Sequence, residues 1–274
     1  MNTETIGFIG AGNMAASLIG GLIQDGCNPA RILVSDVDSR RLAALREHGV
    51  EGVDDNNEVV ARADIVVLAV KPQVMKGVCQ ALAPVAQQAR PLILSVAAGL
   101  RLADLDRWLG GGLAVVRAMP NTPALVQTSA TALYANHRVD EVQRQLAESV
   151  MRAVGLTLWL DDEAQMDAVT ALSGSGPAYF FLLMEVLQDA GEQLGLAPET
   201  ARLLTLQTAL GAAKLALESN EDAAELRRRV TSPGGTTERA LAVLQQAGLD
   251  EVFARALRAG AERAEELAQQ LGAD

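Results

Sequence analysis

The chain has 274 residues, which is enough for two domains of ordinary size, and 49% of them are apolar, so a sizeable core can form. Aromatic residues contribute only 3%, leaving Ala, Leu and Val to fill that core, and the formal net charge of −11 argues against non-specific nucleic-acid binding. No apolar run reaches the length of a membrane span, and the first residues lead into Ile6-Gly7-Phe8-Ile9-Gly10 without a basic leader, so a soluble cytoplasmic protein with no membrane partner is expected.

Short apolar runs alternate with amphipathic stretches through the first part of the chain. Strands are predicted at Thr5–Ile9, Arg31–Asp36, Ile65–Val70, Pro91–Ser95 and Ala114–Ala118. Helical patterns cover Met14–Gln24, Ser39–Glu47, Asn57–Ala63, Gln73–Ala83 and Leu102–Leu109. This alternation predicts a doubly wound parallel sheet of Rossmann type, covered on both faces. Two further strands, Thr128–Tyr134 and Leu156–Leu160, flank a helix at Asp140–Val154. Beyond Asp161 only helical patterns remain: Glu163–Leu172, Pro177–Leu194, Pro198–Ser219, Asp222–Val230, Thr236–Gln246 and Leu249–Leu271. The expected fold is therefore α/β then all-α, with a dinucleotide-binding domain over 1–161 and a helical domain over 162–274. The helices at Ala178–Leu194 and Ala201–Leu217 are apolar over much of their circumference, which a small domain cannot bury alone. Packing against a second subunit is expected.

Gly10-Ala11-Gly12-Asn13-Met14-Ala15 reads G-x-G-x-x-A between the first strand and its helix. Gly10 allows the tight turn, Gly12 leaves room for a pyrophosphate, and Ala15 lets the helix approach the sheet. With Asn13 and Met14 opening the helix, its N-terminal N–H groups suit phosphate. Ser35 and Asp36 end the second strand, where an acid can take the adenosine ribose hydroxyls and favours NADH. Arg40 and Arg41 stand close enough to serve a 2′-phosphate, so NADH and NADPH both remain open. Ala69-Val70-Lys71-Pro72 ends the Ile65–Val70 strand and leads on from it, and Lys71 and Pro72 should line the nicotinamide end. Cys27, Cys79, His48 and His137 are the only cysteines and histidines and follow no metal-ligand spacing. No metal is expected, and the chemistry should rest on the cofactor.

Three further segments carry polar groups in constrained loops. Met119-Pro120-Asn121-Thr122-Pro123 fixes Asn121 between prolines, and it reads either as a rigid turn or as part of the cofactor site. Ser173-Gly174-Ser175-Gly176-Pro177 separates two helical patterns, and its glycines would let a flat ring approach Ser175. Thr231-Ser232-Pro233-Gly234-Gly235-Thr236-Thr237 opens a helix, where backbone N–H groups and hydroxyls can hold a carboxylate without an arginine.

Together these segments, with Ala69-Val70-Lys71-Pro72-Gln73 and Ala171-Leu172-Ser173-Gly174-Ser175-Gly176-Pro177-Ala178-Tyr179, resemble pyrroline-5-carboxylate reductases over nearly the whole chain and in the family's order. The resemblance implies reduction of 1-pyrroline-5-carboxylate to L-proline by NADPH or NADH, the last step of proline biosynthesis. It implies an intertwined homodimer, in many members arranged as decamers, with an active site between the nicotinamide of one subunit and helices partly from its partner. Carried over by position, Asn56 contacts the adenosine ribose, Ala69 and Lys71 the nicotinamide end, and Ser175, Ser232, Gly235, Thr236 and Thr237 form the substrate site. Thr237 is the candidate for hydrogen bonding to the ring nitrogen. A β-hydroxyacid dehydrogenase shares the two-part plan, but it needs a lysine near the start of the interdomain helix and Asp167–Tyr179 has none. A dinucleotide-binding redox sensor would have no use for the Thr231–Thr237 segment.

Overall fold

The structure is a computed structural model and describes residues 3–273. Two compact units are present, Met1–Ser175 with Arg258–Asp274, and Gly176–Leu257.

The larger unit is an eight-stranded sheet in the order β3-β2-β1-β4-β5-β6-β7-β8. Its strands are β1 (Ile6–Ile9), β2 (Ile32–Ser35), β3 (Glu51–Gly52), β4 (Ile65–Leu68), β5 (Leu92–Ser95), β6 (Val115–Met119), β7 (Ser129–Ala135) and β8 (Gly155–Trp159). Successive residues of the central strands face opposite cores. Ile6, Phe8, Ile32, Val34, Ile65 and Val67 meet Leu18, Ile19 and Leu22 of α1 (Asn13–Gln24) and Val150 and Met151 of α6 (Glu141–Arg152). Ile9, Leu33, Val66, Leu68 and Ile93 meet α3 (Asn56–Arg62), α4 (Pro72–Ala89) and α5 (Leu102–Trp108). Burial on both faces is why these strands are unbroken apolar runs, and it fixes their register. The order reverses between β1 and β4, so the ligand crevice of such a sheet opens at their carboxyl ends.

Three features depart from the expected pattern. The two-residue edge strand β3 is too short to leave a periodic signal. Strand β7 runs antiparallel to β6 and parallel to β8, so the sheet is mostly rather than wholly parallel. Helix α4 continues past Ala83 through Pro84 to Ala89. Pro84 removes the N–H that would bond to the Gln80 carbonyl, but Gln80 and Pro84 are both exposed, so water can satisfy the freed group.

The larger unit also extends beyond the boundary expected at Asp161. Met166 of α7 (Gln165–Val169) and Ala171 in the following π-helical turn (Thr170–Gly174) are buried. The end of α12 (Leu249–Gly272) belongs to the same unit, with Ala264 and Ala268 buried and Leu271 packed on the second core. The charged residues near Asp161 mark a surface turn, whereas the packing continues to Ser175.

The Gly176–Leu257 unit contains α8 (Gly176–Gln193), α9 (Pro198–Glu218), α10 (Ala223–Arg229), α11 (Thr236–Gln246) and the first turns of α12. Helices α8 and α9 form a hairpin turned at Gly195, whose φ is +97°. Only Gly176 and Ala201 are buried within this unit, while Phe180, Phe181, Leu203, Leu204 and Leu210 are more than half exposed.

One buried charge pair holds the larger unit where the chain passes from β8 into α7. Arg117 of β6, 4% exposed, lies 2.7 Å from Glu163 Oε1, which also accepts the Leu102 N–H at 2.7 Å. Removing one partner of such a pair strands the other charge in the core. Glu163→Ala is therefore expected to lower unfolding stability by about 3 kcal/mol, the low end of the usual range because Glu163 is partly exposed. The urea midpoint at fixed chain concentration measures it, with Glu163→Gln expected to retain part of the loss.

Candidate active site

The carboxyl ends of β1 and β4 meet at Gly10. Its φ is +101°, and a Cβ there would lie 2.8 Å from the Ala69 carbonyl oxygen, so only glycine fits. Gly12 differs: its φ of −71° is ordinary, and a Cβ would meet nothing within 4 Å. The space beside Gly12 is open, and α1 begins there without a side-chain cap. The first helical bond is Ala16 N–H to Gly12 C=O, which leaves the amides of the first turn, Asn13 and Met14 among them, facing that space. An uncapped N-terminus beside a glycine with room above it fits a dinucleotide pyrophosphate.

The polar residues around this opening divide into those that face it and those that hold it. Asp36 holds it: its carboxylate accepts the Ala11 N–H at 2.6 Å and the Asp38 N–H at 2.8 Å, and its side chain is 8% exposed. Ser35 is enclosed at 1% exposure, and its hydroxyl donates to Asn56 Oδ1 at 2.6 Å. Ser35 thus bears on the opening through Asn56, the first residue of α3, which is half-buried at the rim. Lys71 stands exposed at the N-cap position of α4 with no side-chain capping bond and forms no ion pair among the described residues, while Pro72 sets the first turn of that helix. Residues Gly10, Gly12, Asn13, Met14, Asn56, Ala69, Lys71 and Pro72 therefore follow the carboxyl ends of neighbouring strands, as the sheet order requires.

Asn121 has the bonds of the rigid-turn alternative. Its Oδ1 accepts from the Ala130 N–H at 3.0 Å and the Ser129 hydroxyl at 3.1 Å, and its Nδ2 donates to the Ser173 carbonyl at 3.0 Å. The side chain is spent on tying the Met119–Pro123 loop to β7 and to the π-helical turn. Gly174 is packed against that loop as well, since a Cβ there would lie 2.5 Å from the Met119 side chain. Ser175 closes the turn with its N–H on the Thr170 carbonyl and keeps an exposed side chain.

In the other unit, α11 starts at Gly235 with no side-chain cap. The Gly235 N–H bonds to the Ser232 carbonyl at 3.0 Å, which folds the Ser232–Gly235 turn back on itself. Glu238 accepts the Gly234 N–H at 2.8 Å and clasps the turn from the helix side. The amides of Thr236 and Thr237 lie in the uncapped first turn, with both hydroxyls beside them. This turn can receive a carboxylate on backbone N–H groups and hydroxyls. Glu238 was not among the candidates, although an acid three residues after a helix N-cap is a recognisable clasp position.

A profile described as "Pyrroline-5-carboxylate reductase dimerisation" matches residues 163–267, and one described as "NADP oxidoreductase coenzyme F420-dependent" matches 5–99. The chain is 57% identical over 273 residues to a pyrroline-5-carboxylate reductase of Pseudomonas aeruginosa, covering 99% of this chain and 100% of that one. A pyrroline-5-carboxylate reductase of Pasteurella multocida is 41% identical, over 97% of this chain and 98% of its own. Among solved structures, the Coxiella burnetii pyrroline-5-carboxylate reductase superposes with a TM-score of 0.94 at 50% identity, over 97% of this chain and 99% of that one. The Plasmodium falciparum pyrroline carboxylate reductase with NADP bound does so with a TM-score of 0.86 at 27% identity, over 98% and 99%. Full-length relatives at this identity, a shared fold and a dimerisation region at the expected place all agree: the chain belongs to the pyrroline-5-carboxylate reductase family.

Proposed function

We propose that the chain reduces the C=N bond of 1-pyrroline-5-carboxylate to give L-proline, using NADPH or NADH. Membership of the family carries this reading, and two uncapped helix starts support it, one beside Gly12 in the larger unit and one at Gly235 in the smaller. In this assignment the α1 amides with Gly10, Gly12, Asn13 and Met14 hold the pyrophosphate. Asn56, steadied by Ser35, takes the adenosine ribose. Ala69, Lys71 and Pro72 line the nicotinamide end, and Asn121 acts indirectly by fixing its loop. Ser232, Gly235, Thr236 and Thr237 hold the substrate carboxylate, with Ser175 as a further polar contact.

The bound nicotinamide supplies the hydride. The chain's own work is then to orient the imine, exclude competing geometries and place a donor at the ring nitrogen. A protonated imine carbon is more electrophilic, and the nitrogen keeps its proton in the product. Thr237 is the assigned partner of that nitrogen. Neither a covalent nucleophile nor a metal is needed for these two transfers. The same reading carries a homodimer, a decamer as the higher assembly, a cytoplasmic location and no nucleic-acid partner, the last supported by the net charge of −11.

The test is the absorbance of NADH and NADPH with and without 1-pyrroline-5-carboxylate. Substrate-dependent oxidation is expected, and nucleotide binding without turnover would overturn the reductase reading. Two variants divide the site in the same assay. Gly12→Ala should leave the melting temperature unchanged, because a methyl there meets no protein atom within 4 Å. It should nonetheless weaken both nucleotides by about tenfold or more, since the methyl occupies the space kept for the pyrophosphate. Thr237→Ala should bind both nucleotides normally while kcat/KM falls by about a hundredfold, the usual loss for one positioned donor.

A further inference from the structure

Asp36 stands where many dinucleotide-binding proteins carry the acid that reads the adenosine ribose. Here its two carboxylate oxygens already receive two backbone N–H groups, Ala11 at 2.6 Å and Asp38 at 2.8 Å. The first of these lies inside the glycine turn between Gly10 and Gly12. The side chain is nine-tenths buried, and the Arg41 guanidinium stands 3.7 Å from the oxygen that accepts Ala11. A carboxylate offers an acceptor to each N–H at once, whereas an asparagine can satisfy only one and turns a donor toward the other.

The next polar residues are arranged in the opposite way. Val37 is fully exposed, so the chain turns outward after Asp36. Asp38 then grips Arg40 through two contacts, Nε at 3.1 Å and Nη2 at 2.9 Å, and lies 3.9 Å from Arg41. Arg40 holds the Asp38 carboxyl below its usual range through that hydrogen bond. Both arginines are solvent-exposed in the first turn of the helix α2 (Ser39–Arg46) that follows β2, and their charge is engaged by an acid of the same chain rather than free for an external phosphate. A bidentate guanidinium is the natural partner of a phosphate dianion, so Asp38 and a 2′-phosphate are rivals for the same groups.

We infer that Asp36 is a positioning residue of the glycine turn that serves NADH and NADPH alike, and that Asp38, by competing for Arg40 and Arg41, sets the preference between them. This rests on the NAD(P)H reading of the site. It differs from the ordinary reading of a β2 acid, in which Asp36 itself admits NADH and repels NADPH.

The experiment measures nucleotide dissociation constants by calorimetry, without substrate, for the full-length protein and for Asp36→Asn and Asp38→Asn. Asp38→Asn suits the purpose because asparagine keeps the helix cap that Asp38 gives to the Arg40 N–H while removing the charge. Asp36→Asn is expected to weaken NADH and NADPH equally, by about tenfold, with their ratio unchanged. Asp38→Asn is expected to tighten NADPH by about threefold and leave NADH as it was. Amide hydrogen exchange in the nucleotide-free protein gives an independent readout. The Ala11 amide should be protected in the wild type and in Asp38→Asn, and should exchange faster in Asp36→Asn. Weaker NADH with stronger NADPH in Asp36→Asn would overturn the inference, as would an unprotected Ala11 amide in the wild type or an unmoved ratio in Asp38→Asn. Should Asp36→Asn not fold, the wild-type exchange and the Asp38→Asn ratio still decide. A wild type that binds neither nucleotide would overturn the reductase reading, and the inference with it.

Discussion

The constraint on which the rest depends is the apolar surface of α8 and α9. A helix that is apolar around most of its circumference must be covered on most sides. Phe180, Phe181, Leu182 and Leu183 run consecutively on α8, and Leu203, Leu204 and Leu210 stand on α9, yet the Gly176–Leu257 unit buries only Gly176 and Ala201. At roughly 25 cal/mol for each square ångström of apolar surface left in water, such a unit forgoes most of what normally offsets chain entropy. These helices lie within the match to the family's dimerisation region, residues 163–267, which points to a second copy of the chain as the cover. The Ser232–Thr237 turn, proposed above for the substrate carboxylate, belongs to this same unit.

The sheet unit has the opposite character. Its central strands are buried on both faces, and several polar residues near the strand ends are held by hydrogen bonds within the chain. Asp36 fixes Ala11, Ser35 fixes Asn56, and Asn121 fixes the Met119–Pro123 loop to Ser129, Ala130 and Ser173. Each is a hydrogen bond between groups of the chain itself. Geometry that is already in place need not be organised at the moment of binding or reaction. The Arg117–Glu163 pair extends this order from β6 to the segment leading into α7.

Much of this was legible in the sequence, for definite reasons. Strands buried on both faces must be apolar runs, so β1, β2, β4, β5 and β6 announced themselves, and the turn at Gly10–Gly12 has a spacing imposed by sterics. The loops around Asn121, Ser175 and Ser232 stood out because Pro and Gly punctuate them. What stayed hidden depends on distant partners. The antiparallel direction of β7 is set by where the chain returns, not by its composition. Pro84 reads as a helix end until its exposure is known. The compact unit runs to Ser175 because Met166 and Ala171 are buried, and that packing leaves no local signature. Ser35, Asp36 and Asn121 stand out in the sequence as polar residues at a strand end and a loop, but the partners of their hydrogen-bonding groups, in most cases far along the chain, do not.

The most direct test of the account is whether the helical unit can exist without a second copy. Sedimentation velocity and far-ultraviolet circular dichroism, recorded together along a dilution series, measure assembly and helix content on the same sample. Helix content is expected to fall as the assembly dissociates, with no monomer that retains α8 and α9 along the series. A monomer that keeps its full helix content would contradict it, because α8 and α9 would then be stable with their apolar faces in water.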